Sequence, residues 1–129
     1  MSTNGKVLDT NAVVALFNED RLLKTLLAGS TLYLPIIVVG ELYYGAYKSG
    51  KFEINVQRLK QFLSQNVLLN DDEVTGDIYG QIKNALKTKG RPLPENDIWI
   101  AAIARQHNLP VVTRDAHFSH IDHLQIEGW

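Results

Sequence analysis

Apolar positions recur along this chain in two rhythms. Short runs rich in β-branched residues, the pattern of strands buried on both faces, fall near 5–9, 31–34, 67–70, 110–113 and 124–127. Between them, apolar residues spaced for one face of a helix predict helices near 11–17, 20–28, 36–48, 54–65, 72–89 and 95–107. Boundary residues agree with this division. Gly29, Gly50 and Gly90 sit just past helix ends, Pro35 stands at a first helical turn, and Asn108 and Pro110 separate the last helix from the strand after it. Strands alternating with helices imply right-handed crossovers and an α/β domain whose mainly parallel sheet is covered on both faces. Sheets of this kind bind ligands beyond the carboxyl ends of their strands.

Composition narrows the class. The 129 residues suit one domain, 1–129, long enough to bury a core. The chain has no cysteine, which excludes disulfides and thiolate metal sites and fits a reducing compartment. The longest apolar run, Leu34 to Gly40, is far short of the roughly 20 residues that a membrane span needs. The start, Met-Ser-Thr-Asn-Gly-Lys, has no apolar signal core, so a cytoplasmic protein is expected. A net charge of −1 does not announce a nucleic-acid binder, so distribution matters more than total. Asp71, Asp72, Glu73 and Asp77 precede Lys83, Lys87, Lys89 and Arg91. That order suits a solvated helix with acids at its start and bases at its end. It also suits a patch that contacts phosphates.

Four acids converge on one edge of the expected sheet. Asp9 ends the first strand, and Asp115 lies just beyond the strand 110–113. Asp97 stands in the first turn of the helix leading into that strand, so it starts from the same edge. Glu41 lies six residues past Pro35, roughly 9 Å along its helix, but helical side chains tilt toward the N-terminus and Glu is long enough to reach back. Each acid has an ordinary explanation. Asp9 could cap the helix at 11–17, Glu41 could be a surface acid, Asp97 could answer a helix dipole, and Asp115 could be a turn residue. None of these explains the convergence.

Crowded carboxylates need a counter-charge, because two like charges 4 Å apart repel by about 4 kcal/mol at an effective dielectric near 20. No Lys or Arg lies within three residues of Asp97. A divalent cation is the economical neutraliser, and all-oxygen ligands select Mg²⁺ or Mn²⁺. His107, His117, His120 and His123 raise a zinc alternative, but Phe118 and Ile121 interleave the last three, which favours a structural or surface role.

The segments VLDTNAVVALF, GELYYGAYKSG, PENDIWIAAIA and VVTRDAHF resemble the four acidic motifs of PIN-domain proteins, and most closely those of the VapC toxins of bacterial toxin–antitoxin pairs. The likeness runs over essentially the whole chain. It implies a three-layer α/β/α sandwich around a central, mainly parallel five-stranded sheet. It also implies a Mg²⁺-dependent endoribonuclease, a homodimer, held inactive by a cognate VapB antitoxin. Carried over by position, the metal-binding and catalytic acids are Asp9, Glu41, Asp97 and Asp115. Thr113 matches a supporting hydroxyl, Asn11 a polar residue after the first acid, and Glu95 a fifth acid.

On this reading Lys83, Lys87, Lys89, Arg91 and the nearer Arg114 are candidates for the RNA backbone. Structured RNA suits a cleft better than duplex DNA, because single-stranded loops can be splayed into it. The segment 42–63 offers Leu42, Tyr43, Tyr47, Phe52, Ile54, Leu59, Phe62 and Leu63, enough to leave an apolar groove for an antitoxin helix or simply to pack a core. The alternatives are a PIN-type nuclease acting on DNA or in RNA processing without a toxin role, and a non-catalytic RNA-binding module. An aspartyl-phosphate phosphatase would want a second acid two residues after Asp9, where Asn11 stands.

Overall fold

Five parallel strands form one sheet in the order β3-β2-β1-β4-β5. They are β1 (Gly5–Leu8), β2 (Thr31–Pro35), β3 (Val67–Leu69), β4 (Val111–Val112) and β5 (Ile126–Glu127). The computed structural model describes residues 4–129, so the first half of the polar start Met1 to Lys6, and the same end of the expected domain 1–129, lie outside the described residues. Helices α1 (Thr10–Phe17) and α2 (Arg21–Leu27) lead from β1 to β2, and α3 (Ile36–Tyr47) and α4 (Phe52–Ser64) from β2 to β3. Helices α5 (Glu73–Lys89) and α6 (Glu95–Gln106) then return the chain to β4 on the other side of β1. The chain thus reverses its direction of travel across the sheet between β1 and β4. That is the point where a parallel sheet opens a crevice at its carboxyl edge.

The fold is the expected one, with every strand but β2 shorter. Val7, Leu8, Val111 and Val112 are fully buried, since the central strands are covered on both faces. Gly5 has a steric reason to be glycine: a Cβ there would lie 2.7 Å from the Tyr33 ring and 2.8 Å from a Leu109 methyl. Gly90 ends α5 with φ of 66°, a left-handed cap that costs other residues more. Asp72 and Thr75 form a capping box at the start of α5. The Thr75 hydroxyl also donates to Gln106 at 2.5 Å, which pins the start of α5 to the end of α6. The acids-first, bases-last arrangement of α5 therefore serves the helix itself. Among the described residues no helix is long and apolar enough to cross a membrane.

Several element ends shift, among them β4, which covers Val111–Val112 rather than 110–113, and α4, which covers Phe52–Ser64 rather than 54–65. The first strand ends at Leu8 rather than 9, because Asp9 leaves the sheet to cap α1. The last strand covers Ile126–Glu127 rather than 124–127. A 3-10 helix, Ala116–His120, follows β4 and was absent from the periodic pattern because one turn is too short to show it.

Candidate active site at the carboxyl edge of the sheet

Asp9 is the most buried of the four acids, 5% exposed. The chain turns from β1 into α1 at this residue, and both carboxylate oxygens are held. Oδ1 accepts from the Ala12 amide at 2.8 Å, the ordinary N-cap bond. Oδ2 accepts from the Thr113 hydroxyl at 2.5 Å, across the sheet from the end of β4. Capping α1 and facing the other acids are therefore compatible for Asp9. Burial pushes its carboxyl above the usual carboxylate range, and the charges of Asp115 and Glu41 add to this, while the Thr113 and Ala12 hydrogen bonds oppose it.

Thr113 links the first acid to the fourth. Its hydroxyl oxygen accepts from the Asp115 amide at 2.9 Å while its proton goes to Asp9. The Asp115 carboxylate caps the 3-10 helix through the His117 amide at 2.9 Å and meets the His117 Nδ1 at 2.8 Å. Glu41 does reach back from the second turn of α3. Its Oε1 accepts from the Thr10 hydroxyl at 2.5 Å and its Oε2 from the Asn96 amide at 2.9 Å. Those two donors are the sequence neighbours of Asp9 and Asp97, so Glu41 bridges the elements that carry the other acids.

Asp97, half-buried in the first turn of α6, is the most perturbed member. Its carboxyl is pushed up to about 6, first by burial and then by the charges of Asp115, Asp9 and Glu41, with His117 opposing. A group shifted this way by burial and like charges is poised either to hold a proton or to take up a cation. The donor set is one of hard carboxylate oxygens, and among the described residues no lysine or arginine is paired to any of the four, which fits Mg²⁺ or Mn²⁺. Among the described residues no three acidic or imidazole groups are drawn together tightly enough to hold an ion as they stand. Mutual repulsion keeps bare carboxylates apart, and Mg²⁺ retains several waters and needs only one or two direct carboxylates.

Other candidates sit elsewhere. Glu95 is not a fifth acid of the cluster: it is exposed, paired with Lys83 at 2.8 Å and hydrogen-bonded by the Tyr79 hydroxyl, against a Tyr79–Trp99 stack with centroids 4.0 Å apart. Lys83 is thereby paired with its charge kept, and Lys89 is paired with Asp122 at 2.9 Å. Arg114 is engaged by Asp20 and Trp129 rather than by the acids. Lys87 and Arg91 are exposed, as is Asn11 on the first turn of α1. The histidines fit their expected roles only in part, because His117 touches Asp115. In the sequence His117 reads only as a zinc ligand or surface residue, and Thr10 and Asn96 are not singled out at all. The only signal for these two is their place beside an acid.

An apolar cleft of about 350 Å³ opens beside Thr10 and Glu41, lined by Val14, Phe17, Leu42, Ala46, Arg58 and Leu59 among others. The apolar surplus of 42–63 divides there. Leu42 and Leu59 are buried, whereas Tyr47, Phe52 and Ile54 are exposed.

The PIN domain model matches residues 6–124. Ribonuclease VapC2 of Rickettsia felis is 33% identical over 129 residues, covering 95% of this chain and 96% of that protein. A tRNA(fMet)-specific endonuclease VapC of Shigella flexneri is 34% identical over 94 residues, 72% of this chain and 71% of its own length. The crystal structure of VapBC2 from Rickettsia felis bound to a DNA fragment from their promoter superposes with a TM-score of 0.87 at 32% identity, covering 97% of this chain and 98% of that one. With the acids at the switch point of the sheet and a match along nearly its whole length, the chain belongs to the PIN-domain family, among the VapC proteins.

Proposed function

We propose that this protein is a metal-dependent endoribonuclease toxin, restrained by a VapB-like antitoxin. The observation that carries the reading is the convergence of Asp9, Glu41, Asp97 and Asp115 from four elements, with Asp97 pushed up to about 6 first by burial and then by the other three acids. A bound Mg²⁺, or Mn²⁺ in its place, would lower the pKa of a water and stabilise charge on the scissile phosphate. Asp9 and Asp97 would hold it, with Glu41 and Asp115 completing the shell directly or through water. The chain's own work is orientation. Thr113 fixes Asp9, Thr10 and Asn96 fix the two oxygens of Glu41, and the His117 amide fixes Asp115. Lys87 and Arg91 remain the candidates for the RNA backbone. Loops of tRNA or rRNA suit the cleft, since their bases can be unstacked.

The 350 Å³ apolar cleft beside Glu41 suits an amphipathic antitoxin helix, from which a basic side chain would reach the acids and mimic the cation. A homodimer is in keeping with Ile36, Tyr44 and Ile54, all exposed on the outer surface. The test has two arms. Purified protein is given matched RNA and DNA oligonucleotides with Mg²⁺, Mn²⁺ or a chelator, and wild type and Asp9→Ala are expressed in a bacterial host. Cleavage of RNA that the chelator stops, with growth arrest by wild type alone, is expected. Cleavage of DNA instead would favour the DNA-directed reading, and equal arrest by both proteins would show that toxicity does not come from hydrolysis.

A further inference from the structure

The end of the described chain closes on the turn that carries Thr113 and Asp115. The Thr113 amide donates to the Glu127 carbonyl at 3.0 Å. The Arg114 Nε donates to the Trp129 carbonyl at 3.2 Å, and the guanidinium lies over the Trp129 ring, 4.5 Å from its centroid. Both partners then meet Asp20. The Trp129 indole donates to its Oδ2 at 3.1 Å, and Arg114 approaches the same oxygen at 3.4 Å. Asp20 is itself fixed, because its Oδ1 caps α2 through the Leu23 amide at 3.0 Å and its own amide donates to Ala15 in α1. The Leu23 amide, helped by Trp129 and Arg114, holds its carboxyl below the usual range.

We infer that Trp129, with Asp20, is a positioning device that clamps Arg114 and so holds the Thr113–Asp115 turn in register with Asp9. Arg114 stands between the residue that donates to Asp9 and the fourth acid of the cluster. Left free, its long side chain could fold onto a neighbouring carboxylate and occupy it. Clamped, its charge is directed to Asp20 and away from the four acids. Through the Asp20 amide, which donates to Ala15, the clamp also joins α1, which Asp9 caps, to the loop after β4. It therefore ties the segment that follows Asp9 to the segment that carries Thr113 and Asp115. Groups that orient ligands from outside the coordination shell act in this way on metal affinity.

The inference rests on the metal-nuclease reading, and its test separates the two. Mn²⁺ binding to the full chain is measured by titration calorimetry, alongside kcat and KM on an RNA oligonucleotide and thermal unfolding in chelator. Wild type should bind Mn²⁺, and Trp129→Ala should bind it about tenfold more weakly, with a fall in kcat larger than any rise in KM. Trp129→Phe keeps the ring under the guanidinium and loses only the indole donor, so it should recover most of the affinity. Asp20→Asn retains the α2 cap but not the charge that holds Arg114, so it should weaken Mn²⁺ in the same direction even where Trp129→Ala is too unstable to assay. Wild-type affinity in folded Trp129→Ala, or in Asp20→Asn, overturns the clamp while leaving the nuclease reading intact. A wild-type chain that binds no Mn²⁺ overturns both.

Discussion

Replacing Asp97 by asparagine should stabilise the metal-free protein while abolishing cleavage. The carboxyl is pushed from its ordinary 3.8 to about 6 by burial and by Asp115, Asp9 and Glu41. A raised folded pKa means that the native state binds protons more tightly than the unfolded chain. Asp97 is therefore neutral and uncostly below about pH 4, and its ionisation erodes stability progressively as pH rises through about 6. A shift of this size corresponds at most to about 3 kcal/mol. The group is only half-buried, and screening by solvent brings the expected cost at pH 7.5 to about 1–2 kcal/mol. Asparagine at this position keeps the shape without the charge. In chelator at pH 7.5 the variant should melt about 4–8 °C above wild type. At pH 3.5, below the unfolded-state pKa, the two should nearly coincide. Added Mg²⁺ should raise the melting temperature of wild type more than that of the variant, and only wild type should cut RNA. Thermal scans at the two pH values, with and without metal, decide the matter. A gap of equal size at both pH values, or a variant less stable than wild type at pH 7.5, would refute repulsion as the cause. Wild-type cleavage by Asp97→Asn would remove the residue from the site.

Three further outcomes follow from the same geometry. Thr113→Val leaves a buried Asp9 oxygen without its donor, so it should cost about 1–3 kcal/mol and move the acidic limb of the pH–rate profile upward, as unfolding and kinetic titrations would report. Mn²⁺ affinity should fall as pH drops below about 6, because Asp97 must surrender a proton to bind metal; calorimetry at pH 5.5 and 7.5 giving equal constants would contradict this. Glu95→Gln should leave cleavage within about twofold of wild type, since Glu95 serves an exposed pair with Lys83, and a large loss in the assay would return it to the site.

The order and kind of the elements were legible because strand and helix periods differ sharply over the buried runs around Val7, Leu34 and Val111. The element ends were less so. Asp9 fits a strand end and a helix cap equally well, and only the backbone turn after Leu8 decides for the cap. The 3-10 turn at Ala116–His120 is invisible to any periodic argument, although Asp115 two residues before His117 is the kind of residue that caps such a turn. The partners of the basic stretch on α5 were not legible. Sequence shows that Lys83 and Lys89 are cations but not that Glu95 and Asp122, distant along the chain, come within 3 Å of them.

The acids were readable for a different reason than their partners. A carboxylate at the carboxyl end of a parallel strand is placed by topology alone, and four of them at one edge is an arrangement that folding energy opposes. Burial and repulsion both raise Asp9 and Asp97, and among the described residues no lysine or arginine is paired with them to offset this. On the proposed reading this cost is met from outside the chain, by a small hard cation in the catalytic state or by a basic side chain of the antitoxin in the restrained one. The hydroxyls and amides of Thr10, Asn96 and Thr113 carry no comparable signal, because a neutral donor is cheap anywhere on a surface. Their roles emerge only when Glu41 arrives from α3 to accept from two of them and Asp9 from β1 to accept from the third. The unfavourable charges therefore reveal the site from sequence, and the favourable hydrogen bonds that aim them require the fold.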